Sequence, residues 1–144
     1  MDIVTESFSI STKGNSDMID ITGEVQSKIQ SAGFNEGNVL VFVGGSTAGI
    51  TTIEFEPGLK KDYPLFFEKI IPSNVSYNHD QTWHDGNGHS HVRASLQKAS
   101  LMVPFVDGEL LLGTWQQIIL IDFDNRSRKR NITVQITGKR KNEN

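Results

Sequence analysis

Four histidines, His79, His84, His89 and His91, fall within a thirteen-residue window that also holds Asp80, Asp85 and Asn87, with Asn78 directly before it. They are the only histidines of the chain. Neutral imidazole is the commonest protein ligand for divalent transition metals. In an extended segment, His89-Ser90-His91 would offer two rings to one ion, and His79 would reach back from the other side of a loop. Three imidazoles on zinc would leave a fourth position for water or substrate, the open arrangement of catalytic zinc. Two other readings stay open. The same residues serve as acid–base groups without metal, or as a wet surface loop whose rings bond to nothing in particular. The spacing matches no specific metal motif such as His-Glu-x-x-His.

A second candidate is Gly44-Gly45-Ser46-Thr47-Ala48-Gly49. Its glycines allow close backbone approach, and its amides and hydroxyls can donate to an anion. The closing Gly-Lys-Ser/Thr of a phosphate loop is missing, and a tight bend between strands is the plainer reading. Glu54, on the strand that follows, is either solvent-facing or a ligand or base near the histidines. In Leu112-Gly113-Thr114-Trp115-Gln116-Gln117, the glycine permits a bulge, the indole suits core or interface, and Gln116 can orient a partner by hydrogen bonding. No Ser–His–Asp order and no helix-borne pair of carboxylates is evident. The basic run Arg126-Ser127-Arg128-Lys129-Arg130 reads as a solvated hairpin tip.

The elements that must position these groups follow from periodicity. Residues 3–12 alternate as a strand. Val25, Ile29 and Ala32 share one face of a helix over 22–32, stopped by Gly33. Residues 38–43 form a buried strand and 50–55 a second. Pro64 fits the first position of a helix that ends near Ile71. Residues 73–88 have no period, and such a long irregular stretch is usually functional or disordered. A short helix follows over 91–98, capped by Ser90. Strands at 100–105 and 109–112 flank the turn dipeptide Asp107-Gly108, and strands at 116–123 and 131–137 complete the chain. Pro104 places its strand at an edge or a bulge. The class is α+β, with a mixed, mainly antiparallel sheet or sandwich and two or three helices. Residues 1–138 make a single domain, and the polar tail 139–144 frays.

Composition narrows the function. The chain has 144 residues and a formal net charge of -3. That balance argues against a general nucleic-acid binder, because phosphate neutralisation needs clustered cations. There is no cysteine, so disulfides, thiolate metal sites and a Cys nucleophile are excluded. The N-terminus lacks a basic segment followed by an apolar one, and no apolar run reaches the ~18 residues of a membrane span. A soluble, cytoplasmic protein is expected.

Several segments together resemble the YjbQ family. They are Gly45–Glu54, Tyr77-Asn78-His79, Gly88–Leu96, Val103-Pro104 and Gly108–Gln116. They stand in the family's order and cover most of the chain. Leu-Gly-Thr-Trp-Gln together with His-x-His before Ala-Ser-Leu is the most specific part. One departure is Gly45, where many members carry a histidine; the Gly-Ser-Thr-Ala form is similar to an archaeal branch. The resemblance implies an α+β fold around a mixed sheet, a homotrimer, and a metal or ligand pocket where subunits meet. It implies His79, His89 and His91 as ligands of a divalent metal, zinc first. The implied activity is thiamine phosphate synthesis, which joins a pyrimidine diphosphate to a thiazole phosphate and releases pyrophosphate. In that reaction Gly44, Gly45, Ser46 and Thr47 would bind phosphate and Arg93 would supply a cation. Trp115 would stack on a heterocycle that Gln116 orients. Two rivals remain: a trimeric metal- or anion-binding module without turnover, and a metal-assisted hydrolase of a phosphorylated metabolite with Glu54 or Asp85 as base.

Overall fold

The computed structural model describes residues 1–142. Its order is β1 (Asp2–Thr12), β2 (Asp17–Asp20), α1 (Thr22–Ser31), β3 (Phe34–Val43), β4 (Ala48–Ile53), α2 (Pro57–Ile70), α3 (Asn78–Trp83), α4 (Gly88–Gln97), β5 (Ser100–Val106), β6 (Glu109–Leu110), β7 (Gln117–Asp122) and β8 (Arg128–Arg140). Five strands form one sheet in the order β1-β8-β3-β5-β6, and three form a second in the order β2-β7-β4. The class is α+β as expected. The described strand pairs are all antiparallel rather than mixed, and the helices number four among the described residues.

Alternation explains the layers. In β8, Ile132, Val134 and Ile136 are fully buried while the residues between them are not. They meet Val39, Val41 and Val43 of β3, Ile50 of β4 and Ile118 and Leu120 of β7, and α1 plugs the same core with Val25 and Ile29. In β7 the run Ile118-Ile119-Leu120-Ile121 is buried at every position, because both faces of the small sheet are covered. Its second face, Ile119 and Ile121, packs on Phe67 of α2, Ala94 of α4 and Phe123. The molecule is therefore three layers: large sheet, small sheet, helices.

Several local expectations are corrected. α2 begins at Pro57, capped by the Glu56 carboxylate, which accepts from Gly58 N at 2.8 Å and Leu59 N at 2.5 Å. Pro64 lies inside that helix instead of opening it. β2 is new, and the irregular stretch 73–88 contains α3. α4 starts three residues earlier than expected, with Asn87 and not Ser90 at its N-cap. Lys139 and Arg140 belong to β8, where Arg140 Nε donates to Asp2 Oδ2 at 2.9 Å. Lys141 and Asn142 form a turn beyond it, with Lys141 N donating to Gly33 O at 2.8 Å, and residues 143–144 of the expected frayed tail lie outside the described residues.

A histidine-lined cleft above a buried arginine–aspartate network

Asp122 closes β7 and Asp124 follows two residues on, and both are buried. Across the turn, Arg128 and Arg130 share one face of β8. Arg130 grips Asp122 with two parallel bonds, Nε to Oδ2 at 2.7 Å and Nη2 to Oδ1 at 2.9 Å. Thr12 Oγ1 donates to the same carboxylate at 2.6 Å. Arg128 Nε donates to Asp124 Oδ2 at 2.9 Å. The basic run is thus not simply a solvated tip: Arg126 and Lys129 face water, while Arg130 is buried. Bidentate charge-assisted pairs of this kind hold buried charges that would otherwise be costly.

The Gly45–Thr47 turn sits on this network. Thr47 Oγ1 accepts from Arg130 Nη2 at 2.6 Å and donates to Asp124 Oδ2 at 3.0 Å. Its single proton is committed, so Thr47 fixes the turn and leaves its hydroxyl with no donor for a ligand. Gly45 has φ +134°, and a Cβ there would stand 2.8 Å from Arg130 Nη1. A side chain at this position would collide with the guanidinium beneath it. Gly45 and Ser46 amides donate to nothing among the described residues, and Ser46 is exposed.

Asn87 carries the network to the histidines. Its Nδ2 donates to Asp124 Oδ1 at 3.2 Å, and its Oδ1 lies 3.1 Å from His79 Nε2. Asp85 Oδ1 is 3.5 Å from the same ring nitrogen. The rings of His79 and His91 are 4.2 Å apart, centre to centre, and inclined by 45°. α3 and α4 hold them there, because the Asp80 carboxylate accepts from Gly88 N at 2.9 Å and Tyr77 N at 3.3 Å. His79, His91, Asp85, Asn87, the Gly45–Thr47 turn and the two arginines line one cleft of about 370 Å³. Burial pushes the His91 imidazole below its ordinary value, and His79 beside it adds to that. Burial would raise the Asp124 carboxyl, but hydrogen bonds from Asn87, Asn125 N, Thr47 and Arg128 outweigh it and hold the group low.

The structure does not bring His89 to this pair. Residues two apart on a helix point to opposite sides, so α4 sends His91 into the cleft and His89 into a separate cavity with Arg93. The expectation of two adjacent rings assumed an extended segment. Among the described residues, no three His, Asp or Glu groups gather where they could hold a metal ion. The remaining candidates also lie elsewhere. Glu54 is exposed just past the far end of β4, ~20 Å along the strand from the turn at ~3.3 Å per residue. Gln116 donates to Thr52 Oγ1 at 3.1 Å and accepts from Gly113 N at 3.0 Å. Trp115 is 71% exposed, and His84 closes α3 on the outside in a left-handed conformation.

The sequence reading missed Asp122, Asp124, Arg128 and Arg130. A signal was present: two carboxylates two residues apart, then two arginines two residues apart, put opposite charges on the two arms of one turn.

The profile of the UPF0047 protein YjbQ-like family matches residues 6–139. The chain belongs to the UPF0047 family. Among UPF0047 relatives, a protein from Methanothermobacter thermautotrophicus is 35% identical over 96% of this chain and 95% of its own length. YugU of Bacillus subtilis is 35% identical over 92% of this chain and 98% of its own. A crystal structure of a YbjQ-like protein of unknown function from Sulfolobus solfataricus superposes with a TM-score of 0.90 at 32% identity, covering 96% of this chain and 99% of that one. The antiparallel three-layer fold is therefore a property this UPF0047 chain shares with its relatives.

Proposed function

We propose that the His79–His91 cleft binds a small phosphorylated metabolite beside a divalent cation, zinc first, and transfers its carbon skeleton in a reaction of the thiamine phosphate synthase type. The observation that carries this reading is the pair of imidazoles 4.2 Å apart in the same cleft as the unpaired Gly45 and Ser46 amides. Two imidazoles are a partial donor set for a borderline-soft cation, and the Asp85 carboxylate lies at the same His79 nitrogen as Asn87. His79 and His91 would hold the ion, and the remaining positions would fall to substrate oxygens or water. The charge balance supports a cation. Arg128 and Arg130 are offset by Asp122 and Asp124, and Asp85 adds a further negative charge. A diphosphate entering that cleft needs positive charge beyond what the chain supplies.

A bound divalent ion would act as a Lewis acid on the leaving diphosphate. The chain's own groups do the positioning. The turn amides bind a phosphate oxygen, and Asn87 holds His79 in one orientation. The carbon–oxygen bond of the pyrimidine-methyl diphosphate breaks, and pyrophosphate leaves with the electron pair. The thiazole nitrogen then donates its lone pair to form the carbon–nitrogen bond. Arg93, Gln116 and Trp115 stand outside the cleft of the same chain, so a homotrimer would be the means of bringing such groups to it.

Zinc titration calorimetry tests the shared premise. The wild type should bind zinc, and His79→Ala or His91→Ala should weaken it at least tenfold, in the range of a lost metal-site group. His89→Ala should leave it intact. Unchanged affinity in both cleft variants would overturn the site. Growth rescue of a thiamine auxotroph tests the reaction; zinc binding without rescue would leave a binding module.

A further inference from the structure

We infer that the cavity on the opposite side of α4 is a second, independent binding site, for a small oxyanion of the carboxylate or phosphate class. The cavity measures about 280 Å³ and is lined by Asn15, Ser16, Leu65, Glu68, His89 and Arg93, with Pro64 and Ser73 at its edge. This is near the ~300 Å³ at which ligand pockets begin, so the occupant is small.

The residues of its polar floor are largely buried, while some of their polar atoms stay open and unbonded. Arg93 is 5% exposed, His89 7% and Ser16 8%. Arg93 spends Nε and Nη2 on Ile71 O, at 3.0 and 2.7 Å, and Nη2 also on Glu68 Oε2 at 2.7 Å. Its Nη1 has no partner among the described residues, and neither does the Ser16 hydroxyl. Among the described residues, the one hydrogen-bond contact of the His89 ring nitrogens is Ser90 Oγ, at 3.5 Å from Nε2. Among the described residues no side-chain nitrogen or oxygen is both sealed from solvent and unpaired, so these atoms are open to solvent. Solvent meets these atoms while the cavity is empty, and the three residues line one cavity, so a ligand that accepts from all three would replace that water. A guanidinium N–H, a hydroxyl and an imidazole together fit an oxyanion.

The Glu68 carboxylate does not contradict this. Its oxygens are taken by Ser73 N at 2.9 Å, by Ser73 Oγ and by Arg93, and it lies at the half-exposed rim. The β1–β2 turn that delivers Ser16 is held in an uncommon way. Gly14, Asn15 and Ser16 have φ of 80°, 54° and 68° in succession. Ser16 N donates to Asp122 O at 2.7 Å and Asn15 N to Asp124 O at 2.6 Å, which locks the turn over the cavity.

The test is NMR on the full chain with three titrants: acetate, inorganic phosphate and, as an uncharged control, glycerol. Signals of Ser16 N–H, Arg93 Nε–H and the His89 ring should move together and saturate with one or both anions. The anion that saturates lower identifies the head group. His91→Ala should bind as well as the wild type, which separates this site from the proposed active site. Ser16→Ala should weaken binding about tenfold or more, as expected for a hydrogen bond to a charged group. Leu65→Trp, at a position 61% exposed on the rim, should block entry without touching the floor. No saturation with either anion, an equal response to glycerol, or shifts centred on His91 would overturn the inference.

Discussion

At the scale of single residues, charge pairing decides more than histidine count. Asp122 is fully buried, and both of its oxygens accept from Arg130. Arg130→Met would leave that carboxylate buried without its counter-charge, held only by Thr12 Oγ1 and Asp124 N, so unfolding in urea should show a loss of about 3–5 kcal/mol. Adding Asp122→Asn should restore part of it, since the amide no longer carries a charge. Glu68 gives a prediction of opposite kind. Ser73 N first, then Arg93, lower its carboxyl from 4.5 to about 2. A group whose acidity is strengthened on folding stabilises above its unfolded value and loses that contribution as the pH falls through the folded value. Melting points should therefore decline between pH 4.5 and 2, and Glu68→Gln should flatten that window. An unchanged slope would show that the Ser73–Arg93 contacts do not bind the carboxylate in solution. A basic run by itself looks the same whether its side chains face water or a buried partner; only its spacing across the turn from Asp122 and Asp124 hinted at the arginine pairs, and nothing in the sequence marked the Glu68 contacts.

At the scale of elements, the periodic parts were legible and the site was half so. Val25 and Ile29 announced α1, and the alternation of Ile132, Val134 and Ile136 announced β8. The histidine window stood out by residue type, and the structure sets His79 and His91 side by side within it, but its helical conformation was not legible. Residues 88–90 carry Gly, His and Ser, which do not favour a helix, and tertiary packing overrides that weak preference. Once α4 begins at Gly88, His89 and His91 must diverge. The close approach that starts the helix there is specific: a Cβ on Gly88 would stand 2.4 Å from Tyr77 Cβ. Gly88→Ala should push α4 away from α3 at a cost of about 1–3 kcal/mol. It should also separate His79 from His91, so zinc affinity and melting temperature should fall together. A variant as stable as the wild type with intact zinc binding would show that the α3–α4 packing does not set the pair.

At the scale of the whole molecule, the α+β class followed from strand-rich periodicity, but the layering needed the structure. A run such as Ile118–Ile121 signals burial without saying what covers each face. The outer surface raises the converse question. Met102 and Leu111, 61% and 56% exposed, line one hollow beside β5, and Trp115, 71% exposed, stands in the loop that leads from β6 to β7. Scattered apolar residues on a surface are ordinary, whereas a contiguous set commonly marks an interface. The proposed homotrimer offers a natural cover for them. Light scattering coupled to size exclusion should return three times the 16.0 kDa chain mass. Trp115→Glu should shift that mass downward, because an isolated carboxylate is costly to bury in an interface. The same variant leaves the His79–His91 cleft untouched within its own chain, so zinc binding in the dissociated form separates two cases. Retained affinity means that each chain completes its own site. Lost affinity means that a neighbouring chain supplies the missing ligand, and a trimeric mass for Trp115→Glu would place the interface elsewhere.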